Sequence, residues 1–261
     1  MTWSILTVRL TLFPGPGPAT NLPVVNELYK KTWGAPPETV QMPPNALAPA
    51  MAQGRRGQVV VGCSVHPSRV DFNLQGNSPP LGEPVRLAVI EDPEAAREQI
   101  DNVLEFVRRE GLSDSVCRTG IYLHIVALTS DFSEANRIVL EAMPAQYRPH
   151  LTTEEDFTFQ VNPLRPSSAV NDVKMNFLTK WATNRFQVIS LPLQTMSAAP
   201  GAVPFNFPVT AEFIGGSITF DYNNVPINRS LGREQQISLL REAIAECSKE
   251  MKKIDTQFKG F

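Results

Sequence analysis

Apolar and polar residues alternate with a period of two in many stretches of this chain, the pattern of a strand with one covered and one uncovered face. In the first such run Leu6, Val8, Leu10 and Leu12 point one way, and Thr7, Arg9 and Thr11 the other. Val59, Val61, Cys63 and Val65 alternate next, then Val70, Phe72 and Leu74, with Pro67-Ser68 as the turn of a hairpin between them. Val85 to Ile90 reads as a third strand, and Ile121, Leu123, Ile125 and Ala127 alternate as a central strand. Beyond His150 the runs crowd together, at 157–161, 173–177, 186–191 and 209–213. Gly215-Gly216 stands between Val209–Ile214 and Ser217–Tyr222 and reads as a two-residue hairpin turn.

Helices are marked by caps. Asp92 before Pro93 sets an N-cap with proline at the first helical position, and Ala96, Ile100, Val103, Leu104 and Val107 make the buried stripe of a helix ended by Gly111. Asp131 and Glu134 have capping-box spacing before a helix over Phe132 to Met143, stopped by Pro144. A shorter helix fits Asn21 to Trp33, burying Val24, Val25, Leu28 and Tyr29. The last helix, from Arg233 to Asp255, places Ile237, Leu240, Ile244, Cys247, Met251, Ile254 and Phe258 at heptad spacing, while Leu239 and Ala243 widen the stripe. The widening favours docking on the protein's own sheet, with a seam between two chains as the alternative.

Strict β-α-β alternation is absent, so the expected class is α+β: predominantly antiparallel sheets with packed helices, and a strand-rich C-terminal half closed by a long C-terminal helix. Residues 1–150 read as a mixed α/β region and 151–261 as a strand-rich region plus the helix, with one continuous domain as the alternative. No internal sequence repeat is visible.

Composition narrows the function. With 24 Lys+Arg against 26 Asp+Glu the net charge is −2, which gives no long-range field toward polyanions. Three scattered cysteines, Cys63, Cys117 and Cys247, form neither a disulfide framework nor a zinc pattern. No stretch reaches the roughly 18 apolar residues of a membrane helix. These features lead to the expectation of a cytoplasmic, prokaryotic protein without a membrane association.

Few residues suggest chemistry. Tyr122 and His124 share one face of their strand, and Arg118 has the same parity, so the three could bind an anionic ligand. The competing reading is an amphipathic face covered by a helix, with its polar tips satisfied. His66 reads as a solvated turn residue and His150 as a solvated loop residue, and no HxH or HxxxH pair suggests a metal. The acids at Glu91-Asp92, Glu94 and Glu98 suit a helix dipole, and Glu154-Glu155-Asp156 a solvated turn. Gly15-Pro16-Gly17-Pro18 lacks the backbone N–H donors of a phosphate loop.

The loops are the more unusual feature. The chain has 23 prolines, about 9% against a typical value of about 5%. They gather with Met42, Leu47, Met51, Met196, Val203, Phe205 and Phe207 in segments that either wrap the core or offer preformed contact surface. The sequence therefore suggests a non-enzymatic accessory protein that works by association, as a subunit of an intracellular complex or a homo-oligomer, with no cofactor and no metal. Its candidate partner-binding residues are Met42, Leu47, Met196, Phe205, Phe207, Ile244 and Met251. A small-molecule binder or enzyme using Arg118, Tyr122 and His124 is the alternative. A nucleic-acid contact through Lys30, Lys31, Arg55 and Arg56 is the weakest reading.

Overall fold

The computed structural model describes residues 2–14, 24–42, 48–80, 82–110, 112, 116–148, 157–189, 209–255, 257–258 and 261. In chain order the elements are β1 (Ser4–Pro14), α1 (Val25–Trp33), β2 (Thr39–Gln41), β3 (Ala50–Arg56), β4 (Val59–His66), β5 (Arg69–Gly76) and α2 (Pro93–Arg109). They continue with β6 (Val116–Thr129), α3 (Phe132–Ala142), β7 (Thr158–Val161), β8 (Leu164–Pro166), β9 (Lys174–Ile189), β10 (Val209–Asn224) and α4 (Arg233–Ile254). The strands form one antiparallel sheet in the order β2-β3-β4-β5-β1-β6-β10-β9-β7, with β8 also paired to β9. The α+β class, the antiparallel pairing and the closing C-terminal helix are as the sequence led us to expect.

This order contains an internal repeat that the sequence did not display. From β1 to α2 the chain runs strand, helix, edge strands, two inner strands, helix, and from β6 to α4 it does so again. In each unit the first strand pairs with the last, which pairs with the one before it. The first strands of the two units, β1 and β6, pair antiparallel at the centre of the sheet. The arrangement has a pseudo-twofold axis through that pair. The 144–166 stretch, where composition changes, lies inside the second unit.

All four helices lie on one face. Val8, Leu10, Phe72, Leu74, Ile121, Leu123, Ile218 and Phe220 point toward them and are at most 1% exposed. α1 touches the sheet where the Cys63 thiol meets the Val25 carbonyl oxygen, and α2 where Phe106 meets Phe72 at 5.7 Å. α4 covers β6 and β10, with Ile237, Leu239, Leu240, Ile244, Cys247 and Met251 all buried. Two caps form as read from sequence: Asp92 Oδ1 accepts from the Glu94 N–H at 2.9 Å, and Asp131 Oδ1 from the Glu134 N–H at 2.8 Å.

Several sequence expectations need correction. Gly215-Gly216 is no turn: β10 runs straight through it, with Gly215 opposite Leu128 and Gly216 opposite Ala127. A Cβ on Gly216 would lie 2.6 Å from Val139 Cγ2 and 3.2 Å from Ile138, so the glycine lets α3 approach the sheet. Val85–Ile90 is not a strand, because β5 leaves the side of β1 at Thr7 and only one bridge, Ile5 to Ile90, is available beyond it. The runs at 173–177 and 186–191 belong to the single strand β9, at least to Ile189. The short β2 and β3 are strands that the alternation did not mark. Val24, expected to be buried, is 64% exposed, since α1 starts one residue later. Leu6 is only half-buried, because a bulge between Ile5 and Thr7 turns Ile5 inward instead.

Replacing Gly216 with Ala sets two effects against each other. Relief of glycine's strand penalty is worth roughly 0.5–1 kcal/mol, whereas overpacking against Val139 costs typically 1–3 kcal/mol. The expected result of urea denaturation is a net loss of stability for Gly216→Ala, partly recovered in Gly216→Ala/Val139→Ala. A single variant as stable as the parent would remove the steric account.

Candidate functional site

The face of the sheet turned away from the helices carries a polar surface assembled from both units. Register places side chains from successive strands in rows across it. One row runs Asn73, Arg9, Tyr122, Asp221 and Leu178, and the next runs Gln75, Thr7, His124, Thr219 and Lys180. The row on the other side runs Asp71, Thr11, Gly120, Asn223 and Asn176. Arg118 lies opposite Phe13 beyond that row. The structure thus brings Arg118, Tyr122 and His124 onto one face, as their parity suggested, and adds Arg9 and Lys180. No described helix lies over this face, so the expectation of a helical cover is not met.

The two carboxylates of the face are satisfied within it. Asp71, 2% exposed, accepts from Thr11 Oγ1 at 2.7 Å and from Arg69 Nε at 2.9 Å, and lies 3.2 Å from His66 Nε2. Asp221 Oδ1 accepts from Asn223 Nδ2 at 2.8 Å. Asn223 Oδ1 in turn accepts from Arg118 Nη2 at 2.9 Å and Asn176 Nδ2 at 3.2 Å.

The cations are less completely used. Arg9 lies 4.9 Å from the Tyr122 ring centre and Arg118 4.9 Å from that of Phe13, so each spends its flat face on an aromatic ring. Both are half-buried, as is Lys180. None of the three has a carboxylate partner among the described residues. Arg9 Nε, Arg118 Nε and His124 Nε2 are buried polar atoms without a hydrogen-bond partner. Such atoms cost roughly 1–3 kcal/mol each when left unmet, which favours an arrangement in which something else meets them. His124 lies 6.3 Å from both the Tyr122 and Phe186 rings. Burial, aided by the Lys180 charge, pushes its pKa down to about 4. It is therefore neutral at pH 7 and a poor base. At one end of the face a cleft of about 670 Å³ opens between Thr7, Gln75, Pro80 and Val85.

Other sequence candidates fall elsewhere. Ile244 and Met251 are 2% and 0% exposed in the α4 contact with the sheet, so they form part of this chain's own core and offer no surface to a partner. Met42 is 68% exposed and Met51 37%. Leu47, Met196, Val203, Phe205 and Phe207 lie outside the described residues, as do His150 and the 154–156 acids. The basic pairs do not converge. Lys31 pairs with Glu110 on the helical side, Arg56 covers the Tyr29 ring, and Arg55 belongs to the opposite face. Thiol chemistry finds little support: burial pushes Cys63 up to about 12 and raises Cys247 well above its ordinary value. No group of three or more His, Cys, Asp or Glu with metal-binding geometry occurs among the described residues. Among them, too, no helix is long and apolar enough to cross a membrane.

Arg9 was legible as an outward residue of the first strand, but only the register of β1 on β6 places it beside Tyr122. Lys180 lies in a stretch that the alternation did not mark as a strand. Compared with known proteins, the chain matches no family model, no curated protein and no solved structure.

The low pKa of His124 has a consequence for stability. An unfolded histidine titrates near 6.5, whereas this one holds off its proton until about 4. Between those values the unfolded chain binds the proton and the folded chain does not, so the histidine's contribution is complete above about pH 6.5 and is lost as pH falls toward 4. Melting curves from pH 7 to pH 4.5 are expected to show a larger loss for the parent than for His124→Gln. Parallel losses would place the histidine in an environment more like water.

Proposed function

We propose that this protein is a non-enzymatic binding protein, an accessory subunit whose helix-free sheet face docks an acidic surface of a protein partner. The observation that carries this reading is the imbalance of that face: its carboxylates are bonded internally, while Arg9, Arg118 and Lys180 meet none among the described residues. Charges held in a half-buried setting interact more strongly than the exposed ion pairs elsewhere on the molecule. The breadth of the face also fits. The eight strands from β3 to β7 span roughly 34 Å at about 4.8 Å per strand, enough for the roughly 800 Å² that each partner contributes to a standard interface. A net charge of −2 supplies no general attraction to acidic surfaces, so recognition would rest on this local set.

A second reading is favoured by one specific observation. The unmet nitrogens of Arg9 and His124, on adjacent rows beside the Tyr122 ring, could instead serve a small anion such as a carboxylate.

Native mass spectrometry of the chain purified from its own cells separates the two. The expected spectrum contains a protein complex that Arg9→Gln/Lys180→Gln loses at least tenfold while its melting temperature stays close to the parent's. A retained small mass lost in the same variant would favour the second reading. Complexes that survive both substitutions would overturn the assignment of this face.

A further inference from the structure

The two structural units differ most in how their helices close over the sheet. In the first unit α1 packs against α2, and a continuous series of rings fills the space beneath them. Tyr29 lies 4.7 Å from Trp33, Trp33 6.1 Å from Phe72, and Phe72 5.7 Å from Phe106. In the second unit α3 and α4 stand apart. Between them lies a cavity of about 460 Å³, inside the usual range of ligand sites of roughly 300–1,000 Å³.

The sheet floors this cavity with Phe177, Thr179, Trp181, Phe220 and Tyr222, and Tyr147 flanks it from the turn after α3. Trp181 packs 6.3 Å from Phe159 and 6.4 Å from Tyr147, so the rings form one cluster. Thr179 and Tyr222 share a hydroxyl hydrogen bond of 3.0 Å. Trp181 is 5% exposed, and its indole N–H has no partner. From α4, Glu246 and Glu250 reach the same space.

Two cations also line it, and both are engaged. Lys253 Nζ lies 2.7 Å from Glu250, and the Arg165 guanidinium sits 5.4 Å from the Phe177 ring centre. The Lys253 pair and the Lys249–Glu246 pair at 3.5 Å are i,i+3 contacts at the helix surface, a class that contributes little and exchanges readily. Burial is the main cause that raises the Tyr222 hydroxyl's pKa; Cys247 raises it next, the Thr179 hydrogen bond opposes them, and the negative charges of Glu250 and Glu246 add smaller increases.

We propose that the cavity between α3 and α4 binds a small organic cation, an ammonium group carried on an apolar body. Ring faces attract a cation through their quadrupole, most strongly where water is excluded. The two carboxylates supply the formal charge at the α4 wall, and the aromatic floor takes the apolar part. This site is independent of the helix-free face, because it lies on the opposite side of the sheet.

The test uses choline and its uncharged isostere, 3,3-dimethylbutan-1-ol, which differ in charge and scarcely in shape. Each is titrated into the full chain while the Trp181 indole signal is followed in proton–nitrogen correlation spectra. The chain has only three tryptophans, so Trp181→Phe identifies that signal. The expected result is a saturable shift with choline and at least tenfold weaker binding of the alcohol. Glu246→Gln/Glu250→Gln is expected to weaken choline binding at least tenfold and leave the alcohol unaffected. The single substitutions serve if the double variant melts early. Absence of a saturable choline shift, equal affinity for the two probes, or a preference for choline that survives loss of both carboxylates would each overturn the proposal.

Discussion

Register across the β1–β6 pair decides which side chains share a face throughout the sheet, because every other strand is hydrogen-bonded outward from these two. A slip of β1 by one residue against β6 would carry Val8 and Leu10 away from the helices and bring Arg9 under them. Both faces resist it. On the helical side the core contacts of these apolar residues would be lost, at roughly 1.5–3 kcal/mol for each large side chain. On the other side the stacking of Arg9 on Tyr122 depends on the same alignment. The functional face and the hydrophobic core are therefore consequences of one registration.

That dependence explains what could be read from the sequence. Caps are local, so Asp92-Pro93 and Asp131 with Glu134 disclosed two helices within a few residues of their observed bounds. The hairpin of β4 and β5 is local too, since His66 and Arg69 face each other across Pro67-Ser68. The strand parity of Arg118, Tyr122 and His124 was equally accessible. What was hidden depends on contacts between distant residues. Gly216 resembles a turn residue until Val139 is placed above it. The association of Arg9 with Tyr122 joins residues 113 positions apart, and no periodicity within either strand encodes that pairing. The cavity was hidden for the same reason: Tyr147, Trp181 and Glu250 come from three separate elements.

The repeat was hidden for a different reason. Two units can keep one order of elements while sharing little sequence, because topology depends on where apolar faces fall and not on which apolar residues supply them. Phe72 on β5 and Phe220 on β10 occupy corresponding inner strands and both point to the helices. Around them the units diverge. The first fills its helix–sheet space with Tyr29, Trp33 and Phe106, whereas the second leaves a cavity between helices of 11 and 22 residues.

Charge is distributed in a way that the near-zero total conceals. Most ionic contacts outside the two proposed sites are exposed helix pairs, such as Arg97–Asp101, Arg108–Glu105 and Arg137–Glu141. Pairs of that kind contribute roughly 0–1 kcal/mol and are screened by salt. The helix-free face instead holds Arg9, Arg118 and Lys180 in half-buried positions without a carboxylate partner among the described residues, and the cavity on the other side holds Glu246 and Glu250 beside aromatic rings. A half-buried charge loses part of its hydration in the free protein, and therefore loses less when a partner arrives. Those cations and those acids lie on opposite faces, separated by the thickness of the sheet. Each set can then select a ligand of the opposite charge without requiring the molecule as a whole to carry net charge.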